Sequence, residues 1–178
     1  MTETTTLNPD MTMEVILQAY PSAQRALFQR YHVGGCSACG FQPTDTLGQV
    51  CKDHNLLDVQ EVMRHILNSH EADTKMQLPA ATVSGWLSDG QEFRFIDVRM
   101  PSELEQARLP QAEPLDFENR GAYMQLPKDT RFVFMCKDGQ RSLDVAAYFA
   151  GHGFEHAYSL SGGLDAWRRE VDSSIPDY

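Results

Sequence analysis

The chain has 178 residues, of which 42% are hydrophobic, so it is long enough for one ordinary domain and a smaller unit. Its 15 Lys and Arg residues against 25 Asp and Glu residues give a net charge of −10, which disfavours generic nucleic-acid binding because phosphate contacts need a basic surface. The longest apolar runs are far shorter than the roughly 20 residues needed to cross a bilayer, so no membrane segment is expected.

Residues 1–10 are polar and rich in Thr, and we expect them to form a disordered tail. They contain neither the basic nor the apolar region of a secretory signal, which predicts a cytoplasmic location. Thiols stay reduced in that compartment, so the cysteines are expected to be reactive or metal-bound rather than to form structural disulfides. The four cysteines are Cys36, Cys39, Cys51 and Cys136.

Residues 11–69 are expected to form a small helical domain. Apolar residues recur every three or four positions from Met13 to Tyr31, and a proline divides that stretch into two helices. Residues 32–43 are rich in Gly and Cys, which predicts a loop. A third helix is expected from Leu47 to His54, and a fourth begins after Asp58, whose side chain is suited to cap it.

A change of pattern after residue 75 predicts a second domain. Residues 70–75 are polar and aperiodic, which is typical of a linker. From residue 76 to 172, apolar runs of strand length alternate with helical segments, an order that predicts an α/β domain with a parallel sheet flanked by helices. The clearest strands are Phe93 to Val98 and Arg131 to Cys136, and residues 173–178 are expected to form a tail.

Cys136 ends one of these strands, and a short loop leads from it into a helix. Ligand sites of open α/β sheets form at the carboxyl ends of strands, so this cysteine lies where chemistry is expected. If the loop curls around the sulfur, its amides and the helix N-terminus stabilise a thiolate or a persulfide anion, and Gly139 permits the curvature. Lys137 and Arg141 would add positive charge. The alternative is a buried cysteine beside an ordinary turn.

The sequence CKDGQRS at residues 136–142 resembles the active-site loop of rhodanese domains, a family of sulfurtransferases. Asp97-Val98-Arg99 resembles the family's DVR motif, and LSGGLDAW at residues 160–167 is similar to its C-terminal motif. The resemblance implies that Cys136 takes up sulfane sulfur as a persulfide and passes it to an acceptor. It also implies that a loop stabilises the persulfide and binds an anionic donor; that loop comprises Lys137, Asp138, Gly139, Gln140, Arg141 and Ser142.

Asp97 is a candidate to hold this loop by accepting hydrogen bonds, and Arg99 is a candidate to steer the donor. A structural salt bridge at the end of the strand is an equally good explanation for both residues. Four residues separate Cys136 from Arg141, whereas protein tyrosine phosphatases enclose a phosphate with five. The smaller ring therefore favours sulfur over phosphate chemistry.

Cys36 and Cys39 form a C-x2-C pair in a glycine-rich loop, which could close a disulfide, bind a metal or attack a persulfide. Cys51 and His54 extend the pattern to C-x2-C-x11-C-x2-H, a spacing that matches a Cys3His zinc site. The alternative for these two residues is simple packing and exposure on an amphipathic helix. A redox-active dithiol is favoured over a metal site, and no cofactor is expected.

Residues 11–69 also resemble the helical hydrophobic redox disulfide domain, which is similar to the N-terminal domain of di-iron proteins that repair iron–sulfur clusters. The resemblance rests on MTMEVILQAYPSA, the Gly-Cys-x-x-Cys loop and TLGQVCKDHNLLDVQEV. It implies a small all-α domain of redox type in front of the rhodanese domain.

These patterns together predict a sulfurtransferase that moves sulfane sulfur through a Cys136 persulfide and couples it to the Cys36 and Cys39 dithiol. The expected partners are a small anionic sulfur donor, a thiol acceptor and, as a further option, a protein that accepts sulfur. Neither nucleic acid nor a membrane is an expected partner. The alternative function is a redox-sensing or partner-binding module with little turnover.

Overall fold

The computed structural model describes residues 6–34, 40–116 and 118–178. The chain divides into two compact units, with the division between Thr74 and Lys75. Within the described residues, no helix is both long and apolar enough to cross a membrane.

Four helices form the first unit, and their apolar faces share one core. Thr46 and Asp58 cap two of them, because their side chains accept hydrogen bonds from the amides of Gln49 at 3.2 Å and Glu61 at 3.0 Å. The helices are α1 (Met13–Ala19), α2 (Ala23–Tyr31), α3 (Leu47–Asp53) and α4 (Val59–Met76). The core includes Met13, Ile16, Leu27, Leu47, Val50, Val62 and Ile66.

The expected linker at residues 70–75 is wrong, because α4 continues through it to Met76. The polar composition of this segment suggested a flexible chain, but Asp73 is buried and forms an ion pair with Arg25 on α2. This pairing ties the last turns of α4 to another helix of the same unit. A polar helix face with one buried ion pair therefore replaces the predicted linker.

The two expected tails are also wrong wherever the structure describes them. Leu7 is buried in the core of the first unit, so order begins before residue 10; residues 1–5 lie outside the described ranges. At the other end, Ile175 is buried in the core of the second unit. The hydroxyl of Tyr178 accepts a hydrogen bond from Arg99 at 2.7 Å. Single apolar and aromatic side chains anchor both segments.

The second unit has a five-stranded parallel sheet in the order β1-β5-β4-β2-β3, which confirms the predicted α/β fold. The central strand β4 lies between β2 and β5, with Phe95 opposite Val133 and Ala157 opposite Phe132. The strands are β1 (Gln77–Leu78), β2 (Arg94–Asp97), β3 (Glu113–Pro114), β4 (Arg131–Met135) and β5 (His156–Leu160). The helices are α5 (Ala80–Ser88), α6 (Pro101–Leu104), α7 (Arg120–Met124), α8 (Gln140–Gly151) and α9 (Gly163–Glu170).

Helices cover both faces of this sheet, and the alternation along β4 assigns its side chains to two cores. Val133 and Met135 belong to the core that contains residues of α5 and α9. Phe132, Phe134 and Cys136 belong to the core that contains residues of α8. The period of two thus places the cysteine on the α8 side of the sheet.

Candidate active site

Cys136 directly follows β4, at the carboxyl end of the central strand, and it is fully buried. Because α8 begins only four residues later, the connecting loop turns back over the sulfur. Gly139 makes this turn with a φ of +91°, in the left-handed region that favours glycine. Strand, loop and helix therefore converge on one sulfur atom.

Two backbone amides donate to the sulfur of Cys136, and the hydroxyl of Ser142 lies within hydrogen-bond distance of it. The backbone N–H groups of Gly139 and Ser142 point to Sγ at N···S distances of 3.2 and 3.4 Å, and the hydroxyl oxygen of Ser142 lies 3.4 Å away. Donors aimed at a buried sulfur stabilise negative charge on it. The two loop amides therefore favour a thiolate or a persulfide anion at this position.

Asp138 places a carboxylate against the same sulfur, a contact that the sequence did not suggest. The distance from Sγ to Oδ1 is 3.5 Å, and the same oxygen accepts a hydrogen bond from the backbone N–H of Gln140 at 3.0 Å. A carboxylate at this distance suits the protonated thiol, which donates to it, and opposes an anionic sulfur. Among the described contacts, Gln140 contributes its backbone to the loop.

Arg141 forms a two-pronged ion pair with Glu103 of α6. The N···O distances are 2.8 and 2.5 Å, and the Arg141 side chain is 47% exposed. The hydrogen bond from Arg141 lowers the pKa of Glu103 to about 2, and the same bond raises the pKa of Arg141. Glu103 thus fixes the guanidinium near the loop and offsets part of its charge.

Lys137 is paired with an acidic residue and is not a free cation of the loop. Its ammonium group lies 2.9 Å from the carboxylate of Asp165 on α9, and the hydrogen bond to Asp165 raises the pKa of Lys137. It also lies over the ring of Tyr178, 4.9 Å from the ring centroid. The positive charge expected from Lys137 is therefore largely balanced by α9.

The contacts of Arg99 do not support a donor-steering role, because its buried guanidinium is paired with Asp97. Its guanidinium donates to Asp97 at 2.7 to 3.1 Å and to the carbonyl of Ala107 at 2.9 Å. Burial alone would lower the pKa of Arg99, but its hydrogen bonds to Asp97 and Tyr178 outweigh burial and raise it. The described side-chain contacts of Asp97 go to Arg99 rather than to the Cys136 loop, which favours the salt-bridge explanation for both residues.

The start of α9 donates hydrogen bonds to the Cys136 loop. The amides of Leu164 and Asp165 donate to the carbonyls of Cys136 and Lys137 at 2.8 and 3.0 Å. Gly163 allows this approach, since a Cβ at that position would lie 2.4 Å from the Cys136 carbonyl oxygen and 2.5 Å from that of Lys137. The glycines of the LSGGLDAW motif therefore let the start of α9 pack against the Cys136 loop.

Two residues of the site were not predicted as site residues, Glu103 and Ser159, although the Ser102-Glu103 pair resembles a motif of the rhodanese family. Glu103 follows a proline at the start of α6 and only the ion pair with Arg141 reveals its role. Ser159 lies on β5, and its hydroxyl oxygen is 2.8 Å from that of Ser142. The one signal for Ser159 was a polar residue within an apolar strand, which by itself says nothing about a partner.

The N-terminal candidates are only partly described. Cys36 and Cys39 lie outside the described residues. Cys51 is fully buried in the core of the first unit, and burial raises the pKa of its thiol, which disfavours the thiolate that a metal needs. His54 is half-buried at the end of α3. The ranges 6–34, 40–116 and 118–178 contain no group of three His, Cys, Asp or Glu residues that could hold a metal.

The sequence profile of the Rhodanese-like domain matches residues 79–170, just over half of the chain. The chain belongs to the rhodanese-like family. It is 31% identical over 94 residues to a sulfurtransferase of Allochromatium vinosum, covering 52% of this chain and 88% of that protein. It is 38% identical over 94 residues to the Rhodanese-like/PpiC domain-containing protein 12, chloroplastic, of Arabidopsis thaliana, covering 49% of this chain and 31% of that protein.

The match extends to solved structures, where it shows the rhodanese fold. Reduced Bacillus anthracis CoADR-RHD is 20% identical and superposes with a TM-score of 0.50, covering 67% of this chain and 21% of that one. This chain thus spans about a fifth of that structure and about a third of the plant protein, but most of the Allochromatium sulfurtransferase. The matches support sulfur transfer in general terms.

Proposed function

We propose that this protein is a sulfurtransferase that carries sulfane sulfur as a persulfide on Cys136. The observation that carries the proposal is the pair of backbone amides that donate to the Cys136 sulfur, with the Ser142 hydroxyl within reach of it. A buried sulfur with fixed donors holds an anion without reorganising solvent. The proposed donor is a small anionic sulfur compound such as thiosulfate, and the proposed acceptor is a thiol.

The reaction has two steps. In the first, the Cys136 thiolate attacks the outer sulfur of thiosulfate, the S–S bond of the donor breaks, and sulfite leaves with the electron pair. In the second, an acceptor thiolate attacks the outer sulfur of the persulfide and Cys136 leaves as a thiolate. The proton of the resting thiol passes to solvent before the first step, because the thiolate and not the thiol is the nucleophile.

Arg141 supplies the charge that attracts an anionic donor. Its side chain stays 47% exposed although Glu103 pairs with it, so the guanidinium can meet an anionic donor that arrives from solvent. Ionised donors form charge-assisted hydrogen bonds to a guanidinium that are about twice as strong as neutral ones. We therefore assign Arg141 to donor binding and the loop amides to the persulfide.

The Cys36 and Cys39 dithiol is the acceptor that the chain itself could offer. The Cys36 thiolate would take the outer sulfur from Cys136, and Cys39 would then displace it as hydrogen sulfide with formation of a Cys36–Cys39 disulfide. An external dithiol reductant would return the pair to its starting state. This part of the proposal rests on the C-x2-C sequence alone, and the transfer could equally run between two copies of the chain.

A sensing or partner-binding module remains the second candidate function, favoured by the ion pairs that balance Lys137 and Arg141. Turnover separates the two candidates. Cys136→Ser should abolish thiosulfate-to-cyanide sulfur transfer while leaving the fold intact, because the hydroxyl keeps the shape of the thiol but not its nucleophilicity. Cys51→Ala removes an equally buried thiol and should retain turnover. Absence of transfer in the parent protein would favour the binding module.

A further inference from the structure

Two buried hydroxyl groups lie next to one another near the sulfur of Cys136, and the reaction proposed above uses only one of them. Ser142 and Ser159 are each fully buried, and their hydroxyl oxygens are 2.8 Å apart. Ser142 comes from the first turn of α8, whereas Ser159 comes from the neighbouring strand β5. Burying two hydroxyl groups is unfavourable unless each proton has an acceptor. The two hydroxyls must therefore donate in a defined order along a chain of hydrogen bonds.

The Ser142 hydroxyl has one proton and three acceptors within reach. These are the Cys136 sulfur at 3.4 Å, the Ser159 oxygen at 2.8 Å and the carbonyl oxygen of Gly139 at 3.2 Å. Only when the proton points to the sulfur does the hydroxyl stabilise a thiolate or a persulfide. The other two arrangements leave the sulfur with its two amide donors alone.

Ser159 decides between these arrangements. Its hydroxyl can donate to the Ser142 oxygen, or to the Gly139 carbonyl at 3.4 Å, and either choice removes one competitor for the Ser142 proton. The Gly139 carbonyl has a further donor, the backbone N–H of Leu143 at 3.2 Å, so it does not depend on the hydroxyls. The series of hydrogen bonds that stabilises an anionic sulfur therefore runs from Ser159 to Ser142 to Cys136.

We propose that Ser159 is a positioning residue that orients the Ser142 hydroxyl toward Cys136 whenever that sulfur is anionic. The proposal rests on the proposed function, since it assumes that Cys136 reacts as a thiolate. Hydrogen bonds in a chain polarise one another, so a donor from Ser159 also strengthens the bond from Ser142 to the sulfur. When the thiol is protonated, the direction of the chain reverses and Ser142 donates toward Gly139 or Ser159.

The test compares three variants of the full chain. Ser159→Ala deletes one oxygen and should slow persulfide formation with thiosulfate by roughly three- to tenfold, through kcat and not KM, since the donor does not meet Ser159. Ser159→Cys keeps a side chain of similar size with a weak donor and should fall between the parent and Ser159→Ala. Ser22→Ala removes a similarly buried serine of the first unit, and should match the parent.

A second readout does not depend on sulfur transfer. The rate at which iodoacetamide alkylates Cys136, followed by mass spectrometry of its peptide, reports thiolate formation as a function of pH. The midpoint of this profile should move to higher pH in Ser159→Ala. In the Ser142→Ala, Ser159→Ala double variant, the midpoint should equal that of Ser142→Ala alone. The nearest charged groups remain in every variant; they are Asp138, Arg141, Glu103, Lys137 and Asp165.

The outcomes separate this proposal from the one before it. A shifted alkylation profile in Ser159→Ala supports the positioning role, even if the parent never transfers sulfur, which would overturn the proposed function alone. An unchanged profile in folded Ser159→Ala, or equal effects of this change with and without the Ser142 hydroxyl, would overturn the positioning role. If Ser159→Ala does not fold, a parent-like profile in Ser159→Cys has the same consequence.

Discussion

Replacing Glu103 with Gln should destabilise the second unit in a pH-dependent way. The pKa of Glu103 falls from an ordinary value of 4.5 to about 2, and at about 1.36 kcal/mol per pKa unit this difference corresponds to roughly 3 kcal/mol. The partner Arg141 is 47% exposed, so solvent screening lowers the figure, and we expect a loss of about 1 to 3 kcal/mol at pH 7. Gln keeps the cap, because its amide oxygen can still accept from Met100.

The sign of the pH dependence follows from the lowered pKa. A carboxylate whose pKa is depressed in the folded state contributes its full stability above about pH 4.5 and loses it as the pH falls toward about 2. The difference in unfolding free energy between parent and Glu103→Gln should therefore shrink to less than half by about pH 3. Glu105→Gln alters an exposed carboxylate on the same turn and should change little at either pH.

Urea unfolding followed by tryptophan fluorescence measures this difference, because both tryptophans of the chain, Trp86 and Trp167, lie in the second unit. The fluorescence transition then reports this unit and not the helical one. Equal stabilities of parent and Glu103→Gln at pH 7 would refute the reasoning. So would a difference that stays constant between pH 7 and pH 3.

Three further predictions concern the loop and its partners. Arg141→Ala should slow reaction with thiosulfate by roughly tenfold or more and leave a neutral alkylating agent little affected, since one charge-assisted contact is lost; equal rates with thiosulfate would contradict it. Gly163→Ala should lower the unfolding free energy of the second unit by about 1 to 3 kcal/mol, because its Cβ would overlap the loop carbonyls, whereas Gly151→Ala has open space and should not; matching urea midpoints would contradict it. The persulfide should decay faster in the parent than in a Cys36→Ser, Cys39→Ser double variant, with sulfide released; identical decay, or stoichiometric zinc on the dithiol, would rule this out.

Much of the rhodanese unit could be predicted from local patterns. Apolar runs of strand length predicted β2 and β4 to within a residue or two, and they correctly placed Cys136 at the end of a buried strand. Helix α6 was not predicted, because four residues starting at a proline carry no periodicity. The linker at 70–75 failed because polarity does not distinguish a solvated helix from a loop, and the contact that orders it, Arg25 with Asp73, is distant in sequence.

The charges of the site were the least predictable feature. The expected cations Lys137 and Arg141 each meet a carboxylate from another helix, and the expected donor-steering group Arg99 is buried against Asp97. A loop sequence states which charged residues are present but not which partners the fold brings to them. The same holds for Ser159, whose hydroxyl meets the loop only because β5 lies next to β4.

The central claim is that Cys136 carries the transferred sulfur. Its most direct test is mass spectrometry of the intact protein and of its peptides after brief treatment with thiosulfate. We predict an increase by the mass of one sulfur atom on the Cys136 peptide, its removal by a thiol reductant, and its absence in Cys136→Ser. No mass increase in the parent, or an increase that persists in Cys136→Ser, would contradict the account.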